Sequence, residues 1–419
     1  MIATSEILNI ASTVKFDNTL TGFYYQPQLP IASTTFGYND EIRFQVQNQD
    51  HFTLPSESYI YIEGEIKRQP AASNATFVEN GLAFLFEECR YLMNSNEIDK
   101  TRNLGYATLL KGYCSFTSDE RAQNEDAGWY EYGKTGTSLQ IDGQNVIFSA
   151  SIPLKLWLGF AEDHKKIICC ARQELILTRA RNDKNALVTA NPAPGNEENS
   201  RVEITKMIWM LPIVQVSDVP RLAILNHINK DLPLSMAFRS WDIYENPALS
   251  QAPFNSWTIT TTSQLEKPRY VIVALQTAMR DAPLVDNTSF SHCDIREMKL
   301  FLNSDAYPYN SNMNLDFLKR KFSFLYYMFS RFQRSYYNSG NDGGKRDVTP
   351  SLRRRDFFLK PMFVFDCSLQ NDRLKNTPVD IRLEIQSGAP IPASTTCFCL
   401  IIHDKILEYT PISNIVRRL

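Results

Sequence analysis

The segment LFLNSDAYPY, residues 300–309, has a fainter counterpart in YLMNSNEID, residues 91–99. Leu92-Met93-Asn94-Ser95 superimposes on Phe301-Leu302-Asn303-Ser304 at an offset of 209 in a chain of 419 residues. Three further pairs keep the same order. Tyr59-Ile60-Tyr61-Ile62 matches Tyr270-Val271-Ile272-Val273, and Asn103-Leu104-Gly105-Tyr106 matches Asn314-Leu315-Asp316-Phe317, both at 211. Leu175-Ile176-Leu177 matches Leu383-Glu384-Ile385 at 208. Ordered matches near half the chain length predict an internal duplication. Each half reads as a strand, a strand ending in Asn-Ser, a helix and a further strand. Asn and Ser after an apolar strand are turn formers whose side chains bond nearby backbone, so the repeated motif is structural and sends the chain towards a helix.

The length exceeds that of most single cores, so two domains are expected. The division falls near 214–233, where VSDVPRLAILNHINKDLP holds two prolines, giving units at 1–214, with an N-terminal arm, and 215–419. Hydrophobic content of 43% suffices for packed cores. A net charge of −2 argues against coating nucleic acid through a bulk field. The N-terminus lacks a basic region followed by a long apolar stretch, and no run approaches the roughly 20 apolar residues of a membrane span. A soluble chain made in the cytosol is expected.

Most periodic segments alternate or are short β-branched and aromatic runs: EIRFQVQ (41–47), SYIYIEGEI (58–66), NVIFSASI (145–152), EITKMIWMLPIV (203–214), LSMAFRSWDIY (234–244), WTITTT (257–262), RYVIVALQ (269–276) and CFCLIIHDKILEY (397–409). Such runs, bounded by turn formers, predict antiparallel sandwiches or barrels. One helix stands out, with Leu318, Phe322, Leu325, Phe329 and Phe332 spaced 4, 3, 4 and 3 on one stripe. A shorter one follows Asn103-Leu104, and the Asn ahead of each helix is expected near its N-cap. Residues 115–138, 181–200 and 338–356 read as long polar loops of the kind that serve binding or assembly.

Catalytic chemistry finds little footing. Cys89, Cys114, Cys169, Cys170, Cys293, Cys367, Cys397 and Cys399 form no C-x-x-C and no zinc spacing with the five histidines. They read as small buried hydrophobes in a reducing compartment. Gly343-Gly344-Lys345 lacks the upstream glycine of a phosphate loop. His403-Asp404 lie next to each other on a strand and point to opposite faces, so they form no dyad. Asp163-His164 has no nucleophile set beside it. Lys345, Arg346, Arg353, Arg354 and Arg355 form either a phosphate-facing patch or a solvated loop, and no interleaved aromatics favour the first. Neither catalytic residues nor metal or cofactor ligands are expected.

The second half carries a family resemblance. RYVIVALQT, HCDIREMKLFLNSDAYPY, SRFQRSYY, VFDCSLQNDRLKNTPVDIRLEIQ and CFCLIIHDKILEY resemble double jelly-roll major capsid proteins of Polinton-like and adintovirus-like elements. The resemblance covers roughly 230–410, and 40–215 by architecture alone. It implies an all-β fold of two tandem eight-stranded jelly rolls with a helix in each half and long loops. It further implies a homotrimer with six lobes that tiles an icosahedral shell around double-stranded DNA. Penton and minor capsid proteins are the implied partners, with weak or indirect contact to the packaged DNA. The implied location is the virion, after synthesis in host cytoplasm and assembly in the host nucleus. Two alternatives stay open: a ligand- or carbohydrate-binding β-sandwich, and a host-domesticated or minor capsid-like protein. Against the first, Trp157, Trp209, Trp241 and Trp257 sit in or beside apolar strands, and only Trp129-Tyr130 lies in an acidic loop.

Overall fold

Where the sequence alternates, the backbone is strand. EIRFQV and YIYIEGEIK place every second residue in the core and the others outward. The computed structural model describes residues 19–31, 35–46, 51–69, 73–129, 140–142, 145–189, 199–259, 268–282, 284–308, 312–337, 349–369 and 379–418. In the first half, the principal strands are β1 (Leu20–Gln28), β2 (Glu41–Val46), β3 (Tyr59–Lys67), β4 (Phe86–Met93), β5 (Asn96–Arg102), β6 (Asn145–Pro153), β7 (Gln173–Arg179) and β8 (Arg201–Val216). Those of the second half are β9 (Leu234–Asn246), β10 (Phe254–Ile259), β11 (Pro268–Thr277), β12 (Ile295–Leu302), β13 (Asp305–Tyr307), β14 (Phe363–Asp366), β15 (Ile381–Ser387) and β16 (Thr395–Thr410).

The sheet orders repeat. The first half forms β1-β8-β3-β6 and β2-β7-β4-β5, and the second forms β9-β16-β11-β14 and β10-β15-β12-β13. Each strand of the second half takes the slot of the strand eight earlier, and the pairs are antiparallel. This is one jelly roll made twice, an all-β double jelly roll. Between β8 and β9 lies the helix α2 (Asp218–Ile228). Short strands trim the frame: Gln140–Asp142 extends the first sheet, and Ile415–Arg418 pairs with β16.

Asn94 and Asn303 occupy equivalent positions with equivalent bonds. Each sits at positive φ, 50° and 55°, where asparagine is among the few tolerated side chains. The Asn94 amide donates to the Arg172 carbonyl at 2.9 Å, and its Oδ1 accepts from the Arg172 amide at 2.9 Å. The Asn303 amide donates to Asp380 at 2.9 Å, and its Oδ1 accepts from the Asp380 amide at 2.8 Å. Arg172 and Asp380 directly precede β7 and β15. The turn leads into a hairpin partner, β5 or β13, and not straight into a helix. The tight hairpin connection demands the left-handed residue, and the side chain clamps the next strand of the same sheet.

The helix α1 (Leu104–Ser115) starts directly after β5, whereas α3 (Ser323–Tyr336) begins well after β13. Asn103 and Asn314 are both left-handed, at φ 44° and 46°, each ahead of a buried leucine. Neither caps as expected. Asn103 is the N-cap residue, but its amide group donates to Glu245 across the seam between the halves. Asn314 lies far ahead of Phe322, the N-cap residue of α3. The stripe of α3 also begins later than its spacing suggested. Leu318 is 75% exposed in the preceding turn, while Phe322, Leu325, Phe329 and Phe332 are buried and Tyr336 extends the stripe.

The polar segment 115–138 is not structureless where described. Thr117 and Glu120 form a reciprocal capping box that starts the helix Ser118–Gln123. Trp129 is buried against Tyr113 and Phe116. All eight cysteines are free thiols, and all but Cys170 are buried.

The burial of α3 is directly testable. Phe329 is 1% exposed, with its ring centroid 4.8 Å from that of Phe357. Phe329→Ala should cost on the order of 3–5 kcal/mol, while Phe324→Ala on the exposed side of the same helix should cost below about 1 kcal/mol. Equal losses in denaturant titrations would contradict this placement.

Candidate functional site

The positions singled out for chemistry do not converge. His403 is buried on β16 with Nε2 3.9 Å from Asp242, while Asp404 accepts from the Arg269 Nε at 2.6 Å on the surface. Asp163 is engaged by Arg239, and His164 stacks on Phe160 at 5.1 Å. Among the described residues, no group of three or more His, Cys, Asp or Glu side chains could hold a metal ion. Gly343, Gly344, Lys345 and Arg346 lie outside the described residues. Arg354 sits 4.9 Å over the Phe322 ring and donates to the Arg320 carbonyl, so this part of the basic run braces the start of α3. Trp129, Trp157, Trp209 and Trp241 are buried, and Trp257 is half-buried.

What the fold assembles instead is a seam between its two halves. After β6 the chain turns through Leu154–Leu156 into the short helix Gly159–Asp163, which lies on β9. Gly159 is required there, because a Cβ on it would stand 1.7 Å from the Arg239 carbonyl oxygen and 3.0 Å from the Trp241 ring. Four residues on, Asp163 accepts from the Arg239 amide and Nε, both at 2.8 Å, and from Nη2 at 2.5 Å. The guanidinium lies 3.6 Å from the Tyr336 ring centroid. Burial alone would lower the Arg239 pKa, but Asp163 outweighs it and holds the group firmly protonated.

A second cross-link runs through β5. Asp99 is 1% exposed; one carboxylate oxygen accepts from the Ser240 hydroxyl at 2.6 Å and the other from the Phe160 amide at 2.9 Å. Lys405 stands 3.8 Å away, and burial raises the Asp99 pKa above the usual carboxylate range. The helix α1 fills the space between. Tyr106 stacks on Phe398 of β16 at 4.4 Å, and Lys111 pairs with Glu162 while lying 5.0 Å from the Trp241 ring. Deeper in, Glu79 pairs with both Arg121 and Lys360. Such buried groups are costly to break singly, since removing one leaves another unpaired in low dielectric.

A cleft of about 770 Å3 opens along this seam, lined by Glu120, Glu162, Asp163, Lys155, Lys165 and Arg239. Asp163 is engaged by Arg239, and Glu162 by Lys111 and the Tyr336 hydroxyl, so these lining groups hold the joint between the halves. Sequence reading missed these pairs because their partners lie far apart in the chain; Arg239 and Asp163 are 76 residues apart, and Lys360 and Glu79 are 281. The lone glycine in the apolar run LWLGFA was the available signal of a close backbone approach.

Two outcomes follow from the seam. Gly159→Ala should destabilise the chain by about 3 kcal/mol or more, because the clash is with backbone and Arg239 cannot yield alone; a melting temperature within a degree or two of the parent would contradict the contact. His164 supplies a pH signature. Burial, and then Lys166, push its pKa down to about 4 from the ordinary 6.5. The folded chain thus resists a proton that the unfolded chain accepts, so this stability is full above about pH 6.5 and is lost as pH falls towards 4. Between pH 7 and 4.5 the parent should lose ~2 kcal/mol more unfolding free energy than His164→Gln; identical losses would contradict this.

A family model described as a double jelly roll-like domain matches residues 75–407. No curated protein matches the chain by sequence. Among solved structures, a chain of the Sputnik virophage is similar at 11% identity and a TM-score of 0.59, over 98% of this chain and 91% of that one. The mavirus major capsid protein is similar at 12% identity and a TM-score of 0.55, over 100% and 93%. The Faustovirus major capsid protein is similar at 10% identity and a TM-score of 0.57, over 95% and 92%. At these identities the similarity is one of fold. With the repeated sheet order, the shared turn asparagines and the matched family model in agreement, the chain belongs to the double jelly roll-like domain family.

Proposed function

We propose that the chain is a structural major capsid protein that closes into homotrimeric capsomers of an icosahedral double-stranded DNA virus or virus-like element. The observation that carries the reading is the match of fold along nearly the whole of both chains to proteins named major capsid proteins, those of mavirus and Faustovirus. The Polinton-like assignment rests on the sequence resemblance of the second half. In this reading, residues 1–214 and 215–419 are the two lobes and α2 joins them.

The geometry of two unlike lobes favours a ring. Three copies set six lobes around one axis, a shape that fills a hexagonal lattice. Ring closure uses a heterologous contact, the second lobe of one subunit against the first lobe of the next. The shell lattice, penton and minor capsid proteins are the further partners, and the virion is the location. A net charge of −2 suits weak contact with packaged DNA.

Light scattering on the purified chain should report about three times 48.1 kDa, with each interface well above the roughly 1,000 Å2 of a specific contact. Negative-stain images at rising salt should show rings or shells. A monomer or twofold dimer across micromolar concentrations, with no larger particle at any salt, would overturn the capsid reading and leave the fold.

A further inference from the structure

Cys169 and Cys170 are adjacent in IICCAR, residues 167–172, and Cys170 is the one cysteine of the eight that is not buried. A single thiol can fill a core position as a small hydrophobe; two neighbouring thiols have chemistry of their own. Successive side chains on an extended backbone point to opposite sides, which would part the sulfurs. Here the backbone turns instead. Cys170 adopts φ 56°, in the left-handed region that side chains other than Asn or Asp seldom enter. The two thiols come together, and the Cys170 side chain hydrogen-bonds that of Cys169. An uncommon backbone conformation held in a folded chain is a pointer to function.

The turn is gripped at both ends and in the middle. Ahead of it, the Ile168 amide donates to the Thr53 carbonyl at 2.8 Å, and the Thr53 amide donates back at 3.0 Å. Behind it, Arg172 is the residue that Asn94 clamps. Between them the second jelly roll reaches in. The Tyr409 hydroxyl of β16 donates to the Cys170 carbonyl at 3.0 Å and to the Cys169 carbonyl at 3.2 Å. Tyr409 is fully buried there. The peptide that links the two cysteines is thus part of the contact between the jelly rolls.

The two thiols differ in access. Burial, and then Cys170, push the Cys169 thiol up to about 11, which keeps it protonated. Cys170 is half-buried and can meet a solute. An accessible thiol beside a sheltered one is the arrangement of an entering and a resolving cysteine.

We propose that Cys169 and Cys170 form a reversible redox site, closed by low-molecular-weight disulfides such as oxidised glutathione, and that Tyr409 carries its state to the contact between the jelly rolls. The Cys170 thiol loses its proton to solvent and attacks one sulfur of the reagent. A mixed disulfide forms and one small thiolate leaves. Cys169 then loses its proton to solvent and attacks the Cys170 sulfur, which closes the protein disulfide and releases the second small thiolate. Both leaving thiolates take up protons, so two cysteine thiols are oxidised and one small disulfide is reduced to two thiols. Adjacent α-carbons lie about 3.8 Å apart across a trans peptide, short of the roughly 4.4 Å at which ordinary disulfides begin. A bond closed at that spacing is readily reduced, so excess small thiol restores the pair. Ring closure fixes the torsions of the linking peptide and turns the carbonyls that Tyr409 bridges. The oxidised chain therefore holds its second jelly roll less firmly.

Peptide mass spectrometry tests the site, because trypsin cuts after Lys166 and Arg172 and leaves both cysteines in one fragment. The folded chain is incubated with oxidised glutathione, its free thiols are blocked with N-ethylmaleimide in denaturant, and it is digested. In the parent, fragment 167–172 should be unblocked and lighter than the dithiol by two hydrogens, and prior treatment with dithiothreitol should abolish this form. Cys169→Ser should retain glutathione on Cys170, since no neighbour displaces it, and Cys170→Ser should take up none. Circular dichroism establishes that both variants are folded, and the parent result stands without them. A parent fragment that stays a blocked dithiol, or that keeps glutathione as a mixed disulfide, overturns the site. The oxidised parent should also melt below the reduced one, and Tyr409→Phe, which lacks the bridging hydroxyl, should lose most of that gap. Equal melting temperatures for the two states of the parent overturn the link through Tyr409.

Discussion

A β-sheet has two faces, and a sandwich covers only one of them. The other must meet water, a helix or another protein, and its side chains record which. In this chain the sheet β9-β16-β11 can be apolar on both sides because the first jelly roll lays α1 and the Gly159–Asp163 helix across it. The absence of a side chain at Gly159, the Asp163–Arg239 bond and the buried Asp99–Ser240 contact all hold that one placement. Removing it would expose Phe398, Leu400 and Trp241 to solvent and strand several buried charges. The relative position of the two jelly rolls is therefore set by packing and by charge satisfaction together.

The same constraint explains how two copies of one design could diverge. Positions under α1 became apolar on both faces, while their equivalents in the first jelly roll kept an alternating pattern, as YIYIEGEIK and RYVIVALQT show side by side. What did not diverge is the hairpin turn. Asn94 and Asn303 each need a left-handed backbone and an acceptor aimed at the start of the neighbouring strand, and few side chains supply both.

Much of this was legible in the sequence because it is local. Alternation marked the strands, the ordered offsets marked the duplication, and the spacing from Phe322 to Phe332 marked the buried side of α3. Leu318 was misplaced because periodicity does not register where a helix starts when the preceding turn carries the same residue types. Asn314 was misread for a related reason: its left-handed turn is separated from its helix by further chain. The Thr117–Glu120 capping box was readable but was obscured by the polarity of its surroundings. The seam was not legible at all. Its residues are ordinary one by one and acquire meaning only when Asp163 meets Arg239 and Glu79 meets Lys360 across the chain.

The central claim is that the two jelly rolls, locked together at one seam through Gly159, Asp163 and Asp99, act as two lobes of a threefold ring. An electron cryomicroscopy reconstruction of the purified oligomer addresses it most directly. The account predicts six lobes around a threefold axis, with the Asp163–Arg239 and Asp99–Ser240 contacts joining the two lobes of each subunit. A twofold particle, or a ring in which the two jelly rolls of a subunit are separated, would contradict it.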